Sequence, residues 1–160
     1  MTWFDIVAVL LILLIAWLES LRGFGRAIFD FVGGLIALKV ASFASGPLAD
    51  AVPLLQPESH AQAFWLSAVF LLLVVLIIIA TKLIYETTLL SLDVLDPVVG
   101  GLLGCASGVI VAHVFIRVLL VAYGNTDFGT VVLNSFVGQE IILFRSYHGI
   151  LESLQNLGNW

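Results

Sequence analysis

Charged residues and cysteines are scarce in this sequence of 160 residues. Only 11% of the residues are charged, whereas a typical soluble domain carries about 25%. The single cysteine, Cys105, excludes an internal disulfide bond and a cysteine-based zinc site. Six basic residues stand against eleven acidic ones, and this balance argues against nucleic acid as a partner because phosphate binding needs a basic face. Apolar residues make up 61% of the chain, which predicts that its solvent is the lipid bilayer.

Four apolar stretches are long enough to cross a bilayer, which takes roughly 20 residues in a helix. They predict an all-α integral membrane protein, because strands in lipid need a closed barrel with alternating polar residues, and no such alternation is present. The four helices, in residues 1–123, are expected to form two hairpins, and residues 124–160 an amphipathic helical tail at the membrane surface or outside it. The predicted spans are about 3–21, 27–45, 61–85 and 97–123.

The connections between the spans differ in charge. The first turn is short and basic, and it contains Arg22, Gly23, Phe24 and Arg26. The loop of residues 46–60 holds acids and prolines but no lysine or arginine. Because cytoplasmic loops carry an excess of basic residues, the turn is predicted to lie in the cytoplasm and the loop outside. Both termini are then predicted to lie outside as well.

Small residues recur every four positions in two of the spans, which lets helix backbones approach closely. The two rows are predicted to pack on each other or on a second copy of the chain, and a backbone-lined conduction path is the alternative. Asp96, followed by Pro97, is predicted to cap the fourth helix. The segment of residues 31–37, which begins at Phe31, is similar to the segment of residues 98–104, which begins at Val98, and this similarity indicates a parallel internal repeat. The rows contain Gly33, Ala37 and Ala41 in the second span and Gly100, Gly104 and Gly108 in the fourth.

Ionisable residues within the predicted spans are costly in lipid and are therefore functional candidates. Asp5 is predicted to lie near Arg117 or Lys39 in a polar cluster towards the outer face. The residues either pair their charges and fix the packing, or line a polar path for a proton, an ion or a small solute. The full set is Asp5, Glu19, Asp30, Lys39, Lys82, His113 and Arg117.

Motifs for catalysis are missing from the sequence, which has no H-E-x-x-H, no G-x-S-x-G and no P-loop. The histidines His60, His113 and His148 are far apart, with no carboxylate at metal-ligand spacing. We therefore expect a non-enzymatic protein that has no catalytic residues, no cofactor and no metal.

Three segments together resemble the colicin V production protein (CvpA) family: Trp3–Val7, Leu21–Arg26, and Leu95–Gly104 with Gly108. The resemblance covers roughly residues 3–120. It implies a multi-pass protein of the bacterial inner membrane that supports toxin production or export and envelope homeostasis. Its expected partners are the lipid bilayer and either further copies of itself or other membrane proteins. A small oligomeric channel or transporter for an ion or small solute is the competing interpretation.

Overall fold

Six helices form the part of the chain that the computed structural model describes, residues 2–88 and 95–143. No strand occurs in these residues, so the predicted all-α fold is confirmed. The first four helices are each long and apolar enough to cross a membrane. The helices are α1 (Trp3–Arg22), α2 (Phe24–Ala51), α3 (Glu58–Thr88), α4 (Asp96–Tyr123), α5 (Asp127–Asn134) and α6 (Phe136–Leu143).

The second helix is longer than predicted. It continues through Pro47 to Ala51, so residues 46–51 of the predicted loop are helical. A proline inside a helix removes one backbone hydrogen bond. The helix nevertheless continues, and its buried face includes Ser45 before the proline and Ala49 after it. The connection between α2 and α3 is therefore limited to residues 52–57.

The four long helices pack in two main pairs, α1 with α4 and α2 with α3, and α4 also contacts α2 and α3. Small alanines of α2 interlock with large side chains of α3 and α4 in the half of the bundle away from the α1–α2 turn. The predicted hairpins and internal repeat stay predictions. This apolar core contains Ala37, Ala41, Leu66, Phe70, Ile110 and Val114.

The described part of the tail folds back onto the end of the bundle where α1 begins. Val132 of α5 and Val137 of α6 are buried against Phe4 and Ala8 of α1 and Ile116 of α4. These contacts fix α5 and α6 to the α1–α4 pair. The predicted helical tail also includes residues 144–160, which lie outside the described residues.

Candidate functional site

The backbones of α1 and α4 meet along the glycine row of α4, and the two helices run antiparallel. A Cβ atom added to Gly104 would lie 2.7 Å from the Cα of Ala16, and one added to Gly108 would lie 2.9 Å from the Cα of Ile12. At Gly100 the nearest atom would be the carbonyl oxygen of Glu19, at 2.9 Å. No side chain fits at these distances, so the glycines allow direct contact between the two backbones. We call this contact the glycine seam.

The prediction that α2 is the partner of the α4 row is wrong. Gly33 of α2 lies instead against the side chain of Ile77 in α3. Ala37 and Ala41 pack in the apolar core with Ile110, which lies on another face of α4. The four-residue spacing identifies a face that is free of side chains, but it carries no information on which helix covers that face.

Asp96 stabilises the start of α2 rather than the start of its own helix. Its Oδ1 accepts a 2.8 Å hydrogen bond from the backbone N–H of Phe24, 72 residues away in sequence. Gly23, between α1 and α2, has a φ of 83°, in the left-handed region that favours glycine. A side chain there would also collide with the carboxylate of Asp96. The predicted cap of α4 is therefore wrong, since Asp96 is the first residue of that helix and its carboxylate is turned to α2.

Asp5 has a similar role at the other end of the α1–α4 pair. Its Oδ2 accepts hydrogen bonds from the backbone N–H and the hydroxyl of Thr2, and a capping box closes the start of α1. Its Oδ1 accepts a 2.9 Å hydrogen bond from the backbone N–H of Val137 in the first turn of α6. The aspartate is only 1% exposed, so one buried carboxylate caps α1 and joins the tail to it.

The predicted pairing of Asp5 with Arg117 or Lys39 is wrong. Among the described residues Asp5 forms no ion pair, and its carboxylate is occupied by Thr2 and the tail. The guanidinium of Arg117 donates a 2.8 Å hydrogen bond to a serine hydroxyl of α2, and Lys39 is exposed. Counting residues along each span gives the depth of a side chain but not the direction in which the helix turns it.

Arg22 joins two carboxylates at the end of the bundle where α1 turns into α2. Its Nη1 lies 3.0 Å from Oε1 of Glu19 and 3.2 Å from Oδ2 of Asp30. The two acidic side chains are only 7% and 11% exposed. The second oxygen of each, Oε2 of Glu19 and Oδ1 of Asp30, is buried and has no hydrogen-bond partner among the described residues. We call these three residues the ion-pair cluster; with both acids ionised, it carries one excess negative charge.

The ion-pair cluster lies at one end of a cavity of about 200 Å³ between the four long helices. The cavity walls are mainly apolar and include Ile15, Phe70 and Ile110. Ser107 of α4 also lines the cavity, and its buried Oγ has no hydrogen-bond partner in residues 2–88 and 95–143. An engineered apolar cavity of about 150 Å³ is enough to hold benzene, so a small organic molecule fits in this space.

Two further predicted residues lie outside this cavity. Lys82 is exposed and lines an adjacent pocket of about 130 Å³ with Arg22, Arg26 and Asp30. The Nδ1 atom of His113 lies 3.4 Å from a backbone carbonyl oxygen of α6, at the junction with the tail. No group of three or more His, Cys, Asp or Glu residues in the described ranges is placed to hold a metal ion.

Sequence reasoning missed two of the residues at these sites. Thr2 has a detectable signal, because a threonine three residues before an acid at the start of an apolar run resembles a capping box. Ser107 has none, because it lies in a run of small residues whose simplest interpretation is helix packing.

Four helices that are each long and apolar enough to cross a membrane are typical of a multi-pass helical membrane protein. The chain belongs to the colicin V production protein family, because the family model described as Colicin V production protein matches residues 4–143. The suspected resemblance is confirmed, and the match extends past residue 120 to the end of α6. No curated protein and no solved structure matches the chain.

The glycine seam predicts different effects of alanine at two neighbouring positions of α4. Gly104→Ala places its Cβ against the backbone of Ala16, which cannot move without shifting α1, so we expect a loss of about 1–3 kcal/mol in the free energy of unfolding. Gly101→Ala is the matched control, because its Cβ would lie at an ordinary 3.5 Å from the Cβ of Ser20. Denaturant unfolding in mixed micelles measures both. Equal stabilities of the two variants would contradict the seam.

The contact between Asp96 and the start of α2 predicts a graded response to substitution. Asp96→Ala removes the acceptor for the Phe24 N–H and should lower the free energy of unfolding by about 1 kcal/mol. Asp96→Asn keeps a side-chain oxygen at the same place and should retain most of that stability. The same unfolding measurement compares the two, and an asparagine variant as unstable as the alanine variant would exclude the cap.

The hydrogen bond from Val137 to Asp5 predicts a local effect on the tail. In Asp5→Ala the Val137 amide loses its buried acceptor, and we expect its hydrogen exchange to accelerate by about tenfold, the equivalent of a bond of about 1.4 kcal/mol. Asp127→Ala, which changes an exposed acid in α5, is the control and should leave the Val137 exchange rate unchanged. Unaltered exchange at Val137 in Asp5→Ala would show that Asp5 does not hold the tail.

Proposed function

We propose that this chain is a non-enzymatic protein of the bacterial inner membrane that supports colicin V or other toxin production or export and envelope homeostasis. It acts by association with itself or with other membrane proteins. The observation that carries the proposal is the family match over residues 4–143, which extends across all four apolar helices. In this role the helices of the protein bind the helices of other membrane proteins, or of further copies of the chain, within the lipid bilayer.

The packing of the bundle supports association through its outer, lipid-facing sides. The glycine seam is already covered by α1 within the chain. A partner therefore has to contact the large apolar side chains that face outwards, among them Trp17 and Phe43, which are exposed in the single chain. In lipid, such contacts are driven by close packing rather than by removal of apolar surface from water.

A small oligomeric channel or transporter is the second candidate. The cavity at the ion-pair cluster favours it, because buried carboxylates inside a membrane bundle mark ion or proton pathways in other proteins. The apolar core around Phe70, Ile110 and Val114 fills the half of the bundle beyond the cavity. Conduction would therefore need a pore between several copies of the chain.

Loss of the protein in a toxin-producing bacterium tests the leading proposal. We expect a deletion strain to release less colicin V and to survive detergent less well, and the parent chain to restore both. Gly101→Ala should restore them as well as the parent does, whereas Gly104→Leu, which breaks the seam, should not. Normal toxin release and normal detergent survival in the deletion strain would contradict the proposal.

Vesicles that contain only the purified protein separate the two candidates. The leading proposal predicts ion and solute flux equal to that of empty vesicles, together with a membrane protein that co-purifies with the chain from cells. Flux that depends on the protein and is altered by Glu19→Gln, but not by a change of the exposed Asp50 to asparagine, would favour the channel.

The orientation that we propose places the α1–α2 turn in the cytoplasm and both termini outside. Arg22, Arg26 and Lys82 line one pocket at that end of the bundle, and cytoplasmic ends of membrane helices are rich in such residues. A reporter enzyme that is active only in the periplasm should therefore work when fused after Asp50 or Trp160 and fail when fused after Gly25. The opposite pattern of reporter activity would invert the orientation.

A further inference from the structure

In the part of the chain that the structure describes, three buried polar atoms in the cavity between the four long helices have no hydrogen-bond partner. They are Oε2 of Glu19, Oδ1 of Asp30 and Oγ of Ser107, and all three residues line the same cavity. The side chain of Glu19 is 7% exposed, so bulk water does not supply the missing donor to its Oε2. Buried polar atoms in proteins nearly always have a partner, either in the protein or in a bound water, ion or ligand. The cavity therefore lacks donors for these atoms.

The charge of the ion-pair cluster determines the kind of donor that is missing. Arg22 contacts one oxygen of Glu19 and one of Asp30 through a single nitrogen, so with both acids ionised the ion-pair cluster carries one negative charge in excess. Burial of an unpaired charge costs a large free energy, and pairing with an opposite charge offsets that cost. An ammonium group supplies one positive charge and three N–H donors without any acceptor. It therefore matches the two carboxylate oxygens and the serine hydroxyl in both number and sign.

The walls of the cavity indicate the size and the apolar character of the molecule to which the ammonium group belongs. Away from the polar end they are formed by side chains such as Ile15, Val74 and Ile110, which offer no oxygen ligands to a metal ion. The volume of about 200 Å³ suits a compact apolar body of benzene size or slightly larger. The ethanolamine headgroup of a lipid does not fit this description, because its ammonium group is joined to a phosphate.

The packing of the helices also provides a way in from the lipid. α1 and α3 both line the cavity, but α1 packs on α4 and α3 packs on α2, without extensive contact between α1 and α3. Leu18 of α1 and Ile78 of α3 line the cavity and are 39% and 37% exposed. Arg26 and Lys82 line the neighbouring pocket with Asp30 and not this cavity. We propose that this cavity binds a small lipophilic ammonium compound that enters between α1 and α3.

Titration of the full chain with benzylammonium tests this proposal. Isothermal titration calorimetry in phosphatidylcholine nanodiscs, with empty nanodiscs subtracted, should show saturable binding of one molecule per chain. Benzyl alcohol, which lacks the charge, and methylammonium, which lacks the apolar body, should each bind at least tenfold more weakly. The absence of saturable benzylammonium binding, or equal binding of either comparison compound, would overturn the proposal.

Variants locate the binding in the cavity. Glu19→Gln and Asp30→Asn should each weaken benzylammonium binding at least tenfold, and Asp50→Asn, at an exposed carboxylate outside the cavity, should leave it unchanged. Gly34→Leu keeps the ion-pair cluster but fills the cavity from α2, where a Cβ would lie 3.7 Å from Ile110, and it should abolish binding. Unchanged affinity in Gly34→Leu would contradict the assignment. The comparison of compounds on the parent chain decides the question even where a variant does not fold.

Discussion

Direct contact between the backbones of α1 and α4 is the constraint on which the other features of this bundle depend. The contact exists because Gly100, Gly104 and Gly108 have no side chain where α1 crosses. In lipid, helices gain little from the burial of apolar surface, so such close approach is what holds two spans together. A hydrogen bond to a neighbouring helix forms at each end of the α1–α4 pair. At one end Asp96 accepts a hydrogen bond from the start of α2, and at the other end Asp5 accepts one from the start of α6. Each long helix of the pair thus supplies a first-turn carboxylate that orders a neighbouring helix.

The same contact accounts for the cavity. Because α4 uses its glycine face for α1, its opposite side chains, such as Ile110 and Val114, are left for α2 and α3. α1 is therefore held away from α3, and a space remains between them near the α1–α2 turn. Glu19 and Arg22 belong to the last turn of α1 and reach this space from one side, and Asp30 reaches it from α2. The buried charges lie where the packing of small residues leaves room for them.

The sequence was sufficient for the features that depend on one helix at a time. The length and apolar character of the spans predicted four membrane helices, and the spacing of Gly100, Gly104 and Gly108 predicted a face without side chains. Features that depend on the rotation of one helix against another could not be predicted. Asp96 acts on Phe24 and Asp5 acts on Val137, contacts that span 72 and 132 residues of sequence and involve backbone groups that no sequence pattern marks. The partner of the glycine row and the surroundings of Asp5 were mistaken for this reason.

Formation of a disulfide between α1 and α4 tests the glycine seam most directly. Ser20 lies on α1 where a Cβ added to Gly101 would be 3.5 Å from its own Cβ, a separation that suits a disulfide. A chain with Ser20→Cys, Gly101→Cys and Cys105→Ser should form this bond within one molecule under mild oxidation and migrate as a monomer. The matched chain keeps Gly101→Cys and Cys105→Ser but carries Ala37→Cys of α2 in place of Ser20→Cys, and it should stay reduced. A reduced first pair together with an intramolecular disulfide in the second would show that α2, and not α1, covers the glycines of α4.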